Sequence, residues 1–195
     1  MRDFFRPQHD PADCLACSKR KGQMTNDIAD FCREHAACDE GRDWALSNCH
    51  SLSDAWDRLK PNWLVWAATR RNMLDDGRLR LFACFCARQN LTLLTGKTFA
   101  RYLHAVRDTE RFVKGHATDR ELAAAKAIAS HAQYTTFSTQ EAITAAWAVQ
   151  CAVCLVNAAD AAWCAATNAW SASDQRAFTM ETQAEYLRAG GNPFD

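Results

Sequence analysis

The stretch PNWLVWAATRRNMLDDGRLRLFACFCARQNLTLL (residues 61–94) is the densest block of large apolar residues in the chain. Pro61 suits the first turn of a helix, and tryptophans and leucines follow at helical spacing, which predicts a helix from about Asn62 to Arg71. A turn around Gly77 precedes a second helix, predicted from Arg78 to Leu94, with apolar residues on nearly all sides. The two helices are therefore predicted to form a buried helical hairpin around which the rest of the chain packs.

The composition predicts an all-α protein. Only 7 Gly and 4 Pro occur among 195 residues, and no segment sustains the apolar-polar alternation of a strand. A chain of this length supports one sizeable core, so residues 25–195 are predicted to form a single compact multi-helix domain. Residues 1–24 contain two prolines and a Lys-Arg-Lys run without helical period, and an irregular N-terminal arm is predicted there.

Three sequence pairs have the spacing of helix-capping pairs: Ser51 with Asp54, Thr118 with Glu121, and Ser138 with Glu141. The third pair opens an Ala-rich helix that is predicted to continue to about Trp170, on the order of 48 Å. Alanines recur along it at steps of three and four residues, a pattern that lets a neighbouring helix approach closely. We expect this long helix and the hairpin to form the centre of the fold.

The chain shows no apolar export signal at its N-terminus and no charge-free run of about 20 apolar residues. These features predict a soluble cytoplasmic protein with no membrane partner. Ten cysteines are present, and without an export signal they are expected to be reduced thiols packed as small apolar groups.

One group of cysteines has the spacing of a metal site. Cys14 and Cys17 are followed by Cys32, His35 and Cys38, the arrangement of a tetrahedral zinc site with one ligand pair in a loop and one at a helix turn. The hypothesis is one structural zinc held by Cys14, Cys17, Cys32 and either His35 or Cys38, and no other cofactor is predicted. The alternative is that the last three residues form the inner face of a helix and bind no metal.

The formal net charge is zero, but the charges are unevenly distributed. Residues 58–120 contain 13 Lys and Arg against 5 Asp and Glu, whereas residues 1–57 contain 7 against 11 and residues 121–195 contain 3 against 7. A basic middle segment between acidic flanks has two interpretations. Either the flanks neutralise the middle segment through ordinary ion pairs, or part of it faces a phosphate-bearing partner.

Arginines among apolar residues are the candidate ligand-binding groups. Arg80 and Arg88 lie on the predicted buried helix, where a guanidinium needs a carboxylate or an anionic ligand. Arginine offers phosphate a planar fork, and an indole ring offers a base a stacking surface. The predicted ligand-binding residues are Trp63, Trp66, Arg70, Arg71, Arg78, Arg80 and Arg88, followed by Arg101, His104 and Arg111. The competing interpretation is that acids neutralise the arginines internally, the candidates being Asp54, Asp57, Glu110 and Asp160.

The sequence contains no HExxH, GxSxG, P-loop or paired-carboxylate pattern, and no enzymatic activity is predicted. A helix-turn-helix is excluded because the second helix is apolar where a recognition helix is polar. We therefore predict a non-enzymatic binding protein with an anionic partner, either a nucleotide-like small molecule in a pocket or a protein or nucleic-acid surface on an exposed patch. The alternative is a structural or interaction protein without a small ligand.

Several segments resemble a known family: ACDEGRDWA (37–45), DAW (54–56), NWLVWAATR (62–70), LRLFACFCAR (79–88), LLTG (93–96), the ERF and EL elements between residues 110 and 122, and NPF (192–194). They are similar to uncharacterised Ala- and Trp-rich helical proteins that are common in gut phage genomes and some large bacterial genomes. The match covers most of residues 36–122, but residues 96–99 depart from the family's DxRS-like turn and the arm with Cys14 and Cys17 lies outside it.

The resemblance carries no established activity. It implies a phage or prophage setting, in the cytoplasm of the host cell. Because small phage accessory proteins often bind and disable host defence components, it also implies a counter-defence factor whose partner is a host defence protein.

Overall fold

The structure is a computed structural model that describes residues 27–70, 72–131, 137 and 139–195. Ten α-helices account for most of these residues, and none of them forms a strand, which confirms the predicted all-α class. The described residues divide into two compact units, one ending at Leu59 with Phe194 and Asp195 added, the other running from Lys60 to Pro193. The predicted arm lies outside the described residues, and the single domain of residues 25–195 stays a prediction.

The first unit contains three short helices: α1 (27–34), α2 (Asp39–Asn48) and α3 (Leu52–Arg58). The predicted cap at Ser51 is present, because its side chain accepts a hydrogen bond from the backbone N–H of Asp54 at 3.0 Å. Trp56 is only 1% exposed and meets the ring of Phe194 edge-on at 6.4 Å. The small core of this unit contains Ile28, Cys32, Ala45, Cys49 and Ala55.

The second unit contains seven helices and one 3-10 turn: α4 (Pro61–Ala68), α5 (Asp76–Gln89), the turn Leu91–Leu93, α6 (Gly96–Val113), α7 (Asp119–Ser130), α8 (Gln140–Cys154), α9 (Ala158–Ala172) and α10 (Arg176–Ala189). The capping box predicted at Thr118 and Glu121 forms in both directions. For α8 the cap is Thr139, whose side chain accepts from Ala142 N–H, while the predicted cap Ser138 lies outside the described residues.

Helix α5 is buried on most sides, as its apolar circumference predicts. It packs against α6, α8, α9 and α10, and its most extensive contact is with α9. The predicted hairpin partner α4 instead packs mainly against α10, which corrects the hairpin arrangement. The connection between α4 and α5 includes Asn72, whose backbone lies in the left-handed region (φ 65°).

The long helix predicted from Ser138 to Trp170 is two helices, α8 and α9, of 15 residues each. Asn157 begins the second helix, because its Oδ1 accepts hydrogen bonds from the backbone N–H groups of Ala159 (2.8 Å) and Asp160 (3.2 Å). The break allows the two Ala-rich halves to pack against each other. Of the residues predicted to form a close-packing seam, the alanines at 148, 152, 162, 166 and 169 are fully buried. Leu155 and Ala159, which flank the break, are only half-buried.

The eight described cysteines are all free, as expected, but only five of them are buried as packed thiols. Cys154 and Cys164 are half-buried and Cys38 is exposed. Cys84 and Cys86 are 0% exposed on α5, and burial raises the pKa of the Cys84 thiol to about 12. Within the described ranges the longest helix is α6 at 18 residues, and no helix there has both the length and the apolar character needed to cross a bilayer.

Candidate functional site

Arg88 pairs with an acid of the protein. Its Nε and Nη2 donate to the two carboxylate oxygens of Glu110 at 2.7 and 2.6 Å, a bidentate pair that joins α5 to α6. The hydrogen bond to Glu110 raises the pKa of Arg88, and partial burial of the guanidinium opposes this shift. Glu110 is one of the acids that were proposed to neutralise the arginines internally, so the guanidinium of Arg88 already has a carboxylate partner within the protein.

Arg80 binds backbone carbonyls. Its Nη1 donates to Ala152 O, in the last turn of α8, at 3.1 Å, and its Nη2 donates to Val156 O, in the connection to α9, at 3.0 Å. The last carbonyls of a helix have no partner within the helix, and its C-terminus carries partial negative charge, so a guanidinium suits this place. Burial lowers the pKa of Arg80. This side chain stabilises the break between α8 and α9.

Replacing Arg80 by methionine is expected to lower the free energy of unfolding by about 1–2 kcal/mol, because two hydrogen bonds from a charged donor are lost. Urea denaturation followed by circular dichroism measures the change. Arg107→Met on the exposed side of α6 is the matched control and should change stability by less than about 0.5 kcal/mol. Equal stability of the two variants would mean that Arg80 does not support the α8–α9 break.

Arg70 lies between two indole rings. Its Cζ is 5.0 Å from the ring centroid of Trp66 and 6.0 Å from that of Trp163, and its Nε donates to Trp66 O at 3.0 Å. Burial lowers the pKa of Arg70, while the negative charge of Asp160 opposes that shift. The rings and the guanidinium connect the end of α4 to α9, so both groups are used in packing.

The other predicted residues of this segment are placed separately. Lys60 Nζ lies 4.4 Å above the ring of Trp63, a third cation–π contact. Arg71 lies outside the described residues. Arg78 borders a pocket between α5 and α10, and its Nη2 donates to Gly190 O at 2.8 Å and to Gly191 O at 3.0 Å. The structure therefore distributes the predicted ligand residues over several places instead of one site.

Arg101, His104 and Arg111, the second predicted group, lie on the exposed side of α6. Asp108 is buried beneath them, with its Oδ2 2.7 Å from His104 Nδ1 and its Oδ1 3.2 Å from Arg111 Nη1. Arg111 also reaches Glu121 Oε1 at 3.2 Å. These contacts neutralise Arg111 in part and place the His104 ring against the Asp108 carboxylate.

Three further cations on the same side of α6 were missed in the sequence: Lys97, Arg107 and Lys114, all exposed. With the previous three they form what we call the basic face, whose members are Lys97, Arg101, His104, Arg107, Arg111 and Lys114. Their spacing of three and four residues was the signal that could have identified them. Within the described part of the chain, Lys97, Arg101, Arg107 and Lys114 have no carboxylate at ion-pair distance.

Of the five candidate zinc ligands, the structure describes Cys32, His35 and Cys38. Cys14 and Cys17 lie outside the described residues. Cys32 is 8% exposed in the core of the first unit, where burial raises the pKa of its thiol, and His35 packs its ring on Phe31 at 4.6 Å. No three His, Cys, Asp or Glu side chains of the described ranges are placed to hold a metal ion. The zinc site, which also includes exposed Cys38, stays a prediction.

Comparison with known proteins assigns no family or function to these side chains. No protein-family model, no curated protein and no solved structure matches the chain.

Proposed function

We propose that the chain is a non-enzymatic binding protein and that the basic face of α6 binds the phosphate backbone of a nucleic acid. The observation that supports this proposal is the set of four exposed cations on α6 that lack a carboxylate partner among the described residues: Lys97, Arg101, Arg107 and Lys114. Exposed lysines and arginines of one sign release condensed counterions when they meet phosphates, which is the main source of nucleic-acid affinity.

The shape of the basic face favours an extended partner over a small one. From Lys97 to Lys114 the helix rises about 26 Å, and a duplex carries about one negative charge per 1.7 Å of its axis. The one acid within this face, Asp108, has a side chain only 10% exposed and is covered by His104 and Arg111. A polyanion therefore meets cations along the whole helix.

A second candidate function is the structural or interaction protein with internally neutralised arginines. The bidentate pair of Arg88 with Glu110 and the carbonyl contacts of Arg80 favour it. These contacts account for the inner arginines but not for the basic face, so the two functions make different predictions for different residues. The phage setting and a counter-defence role come from the sequence resemblance alone and stay predictions.

The nucleic-acid proposal is tested by fluorescence anisotropy with a labelled duplex and a labelled single strand, across salt concentrations from about 50 to 200 mM. For the unmodified protein we expect log K to fall with log salt with a slope of about −4 on duplex, since four cations lack carboxylate partners. The triple variant R101Q/R107Q/K114Q should bind more weakly, and its slope should be shallower by about 2–3.

The matched control removes three cations that lie elsewhere, in the variant R33Q/R42Q/R176Q. It has the same net charge as the test variant, so a general charge effect would weaken both equally. We expect the control to keep nearly the slope of the unmodified protein. Equal losses in the two variants, or no measurable binding by the unmodified protein at the lowest salt, would contradict the proposal. In that case an acidic protein surface would be the partner to test next.

A further inference from the structure

A pocket between α5 and α10 is separate from the basic face. It has a volume of about 400 Å³ and is open to solvent on one side. Its lining is mostly apolar, and one charged group, Arg78, stands among these side chains. The ring of Tyr186 at its edge is held by stacking on Phe85, with ring centroids 4.2 Å apart. The remaining lining residues are Leu74, Leu81, Phe82, Leu187, Ala189 and Gly190.

The orientation of Arg78 is fixed by the end of α10. Its Nη2 donates to the carbonyls of Gly190 and Gly191, and a Cβ added at Gly190 would come within 3.0 Å of this same nitrogen. Glycine therefore permits the close approach of the guanidinium. A guanidinium that is already held in place loses less side-chain entropy when it binds a ligand.

Arg78 keeps donors for another group. Its Nε and Nη1 have no hydrogen-bond acceptor among the described residues, and no carboxylate there lies within ion-pair distance of the guanidinium. The nearest acid along the chain, Asp75, uses its Oδ1 to accept from the backbone N–H of Arg78 at 2.8 Å, as the cap of α5. A positive charge with free donors thus lines a mainly apolar pocket that is open to solvent.

We propose that this pocket binds a small monocarboxylate with an apolar body, of the size of a medium-chain fatty acid, with its carboxylate on Arg78. The leucine and phenylalanine side chains cover the alkyl part, and the single cation matches a single negative charge. A nucleotide fits this pocket less well, because its several phosphate charges would meet only one cation. This inference does not depend on nucleic-acid binding by α6.

The test compares octanoate with 1-octanol, which has the same chain without the charge, by isothermal titration calorimetry on the full-length protein. We expect saturable binding of octanoate and at least about tenfold weaker binding of 1-octanol, because a charge-assisted hydrogen bond is lost. Arg78→Gln should bind octanoate about tenfold more weakly and remove its preference over 1-octanol. Arg120→Gln, at an exposed position of α7, should bind both as the unmodified protein does.

Leu81→Glu is a second variant, and it keeps the hydrogen bonds from Arg78 to the carbonyls at the end of α10. Leu81 is half-buried at the pocket, and a carboxylate there should repel octanoate more than 1-octanol. Circular dichroism confirms that each variant is folded before titration. The proposal is overturned if the unmodified protein shows no saturable octanoate binding, or if Arg78→Gln and Leu81→Glu both keep the preference for octanoate.

Discussion

Replacing Phe82 by alanine is expected to lower the free energy of unfolding by about 3–5 kcal/mol. Phe82 is 0% exposed on α5, the helix that packs against α6, α8, α9 and α10. Truncation removes the buried ring and its contact with Tyr186, so both the transfer free energy and the packing contacts of the ring are lost. The adjacent pocket lets water enter the new space, which places the expected value near the lower end of the range.

Phe178→Ala is the matched control for this prediction, because it makes the same chemical change on α10 at a side chain that is 68% exposed. It should change stability by no more than about 0.5 kcal/mol. Urea denaturation followed by far-UV circular dichroism measures both variants. A loss below about 1 kcal/mol for Phe82→Ala would show that α5 is not the rigid centre of the second unit.

Features that depend on neighbouring residues were predictable from the sequence. The side chains of Ser51 and Thr118 cap helices as their spacing predicts, because a capping side chain reaches only the N–H groups two or three residues ahead. Pro61 occupies the first turn of α4 for the same local reason. The apolar circumference of α5 also identified a buried helix without any knowledge of its partners.

The break at Asn157 was not recognised, although Asn157 with Asp160 three residues later has the spacing of a cap. The alanines on both sides continue the helical pattern with high helix propensity, and this signal hid the cap. Tertiary contacts, and not the local sequence, favour two helices over one. Two Ala-rich helices that pack against each other bury more surface than one extended helix. In addition, Arg80 on α5 donates hydrogen bonds to the backbone carbonyls at the break.

The partners of the arginines were the least predictable feature. Arg78 and Gly190 are separated by 112 residues, and Arg80 and Ala152 by 72, so the contacts arise only from the tertiary arrangement. A backbone carbonyl leaves no sign in the side-chain sequence, which is why an acid or a ligand was expected in its place. Glu110 could be named as a candidate acid, but its pairing with Arg88 depends on how α5 and α6 pack.

Replacing Arg88 by methionine is expected to lower the free energy of unfolding by about 2–3 kcal/mol. The pair with Glu110 is partly buried, with side chains 35% and 23% exposed, so its value lies between that of a surface pair and that of a buried pair. The single variant leaves the Glu110 carboxylate without its partner in a poorly solvated place. The double variant R88M/E110L removes both charges and should recover to within about 1 kcal/mol of the unmodified protein.

The same two variants separate the two functions when nucleic-acid binding is measured together with stability. If Arg88 is a structural residue, R88M loses stability, and R88M/E110L is stable and binds a labelled duplex as the unmodified protein does. If Arg88 serves a ligand, R88M stays folded and loses binding, and removal of Glu110 does not restore it. The bidentate contact predicts the first result. If R88M is stable but no longer binds the duplex, the anionic partner is bound by the inner arginines, such as Arg88, and not by the basic face of α6.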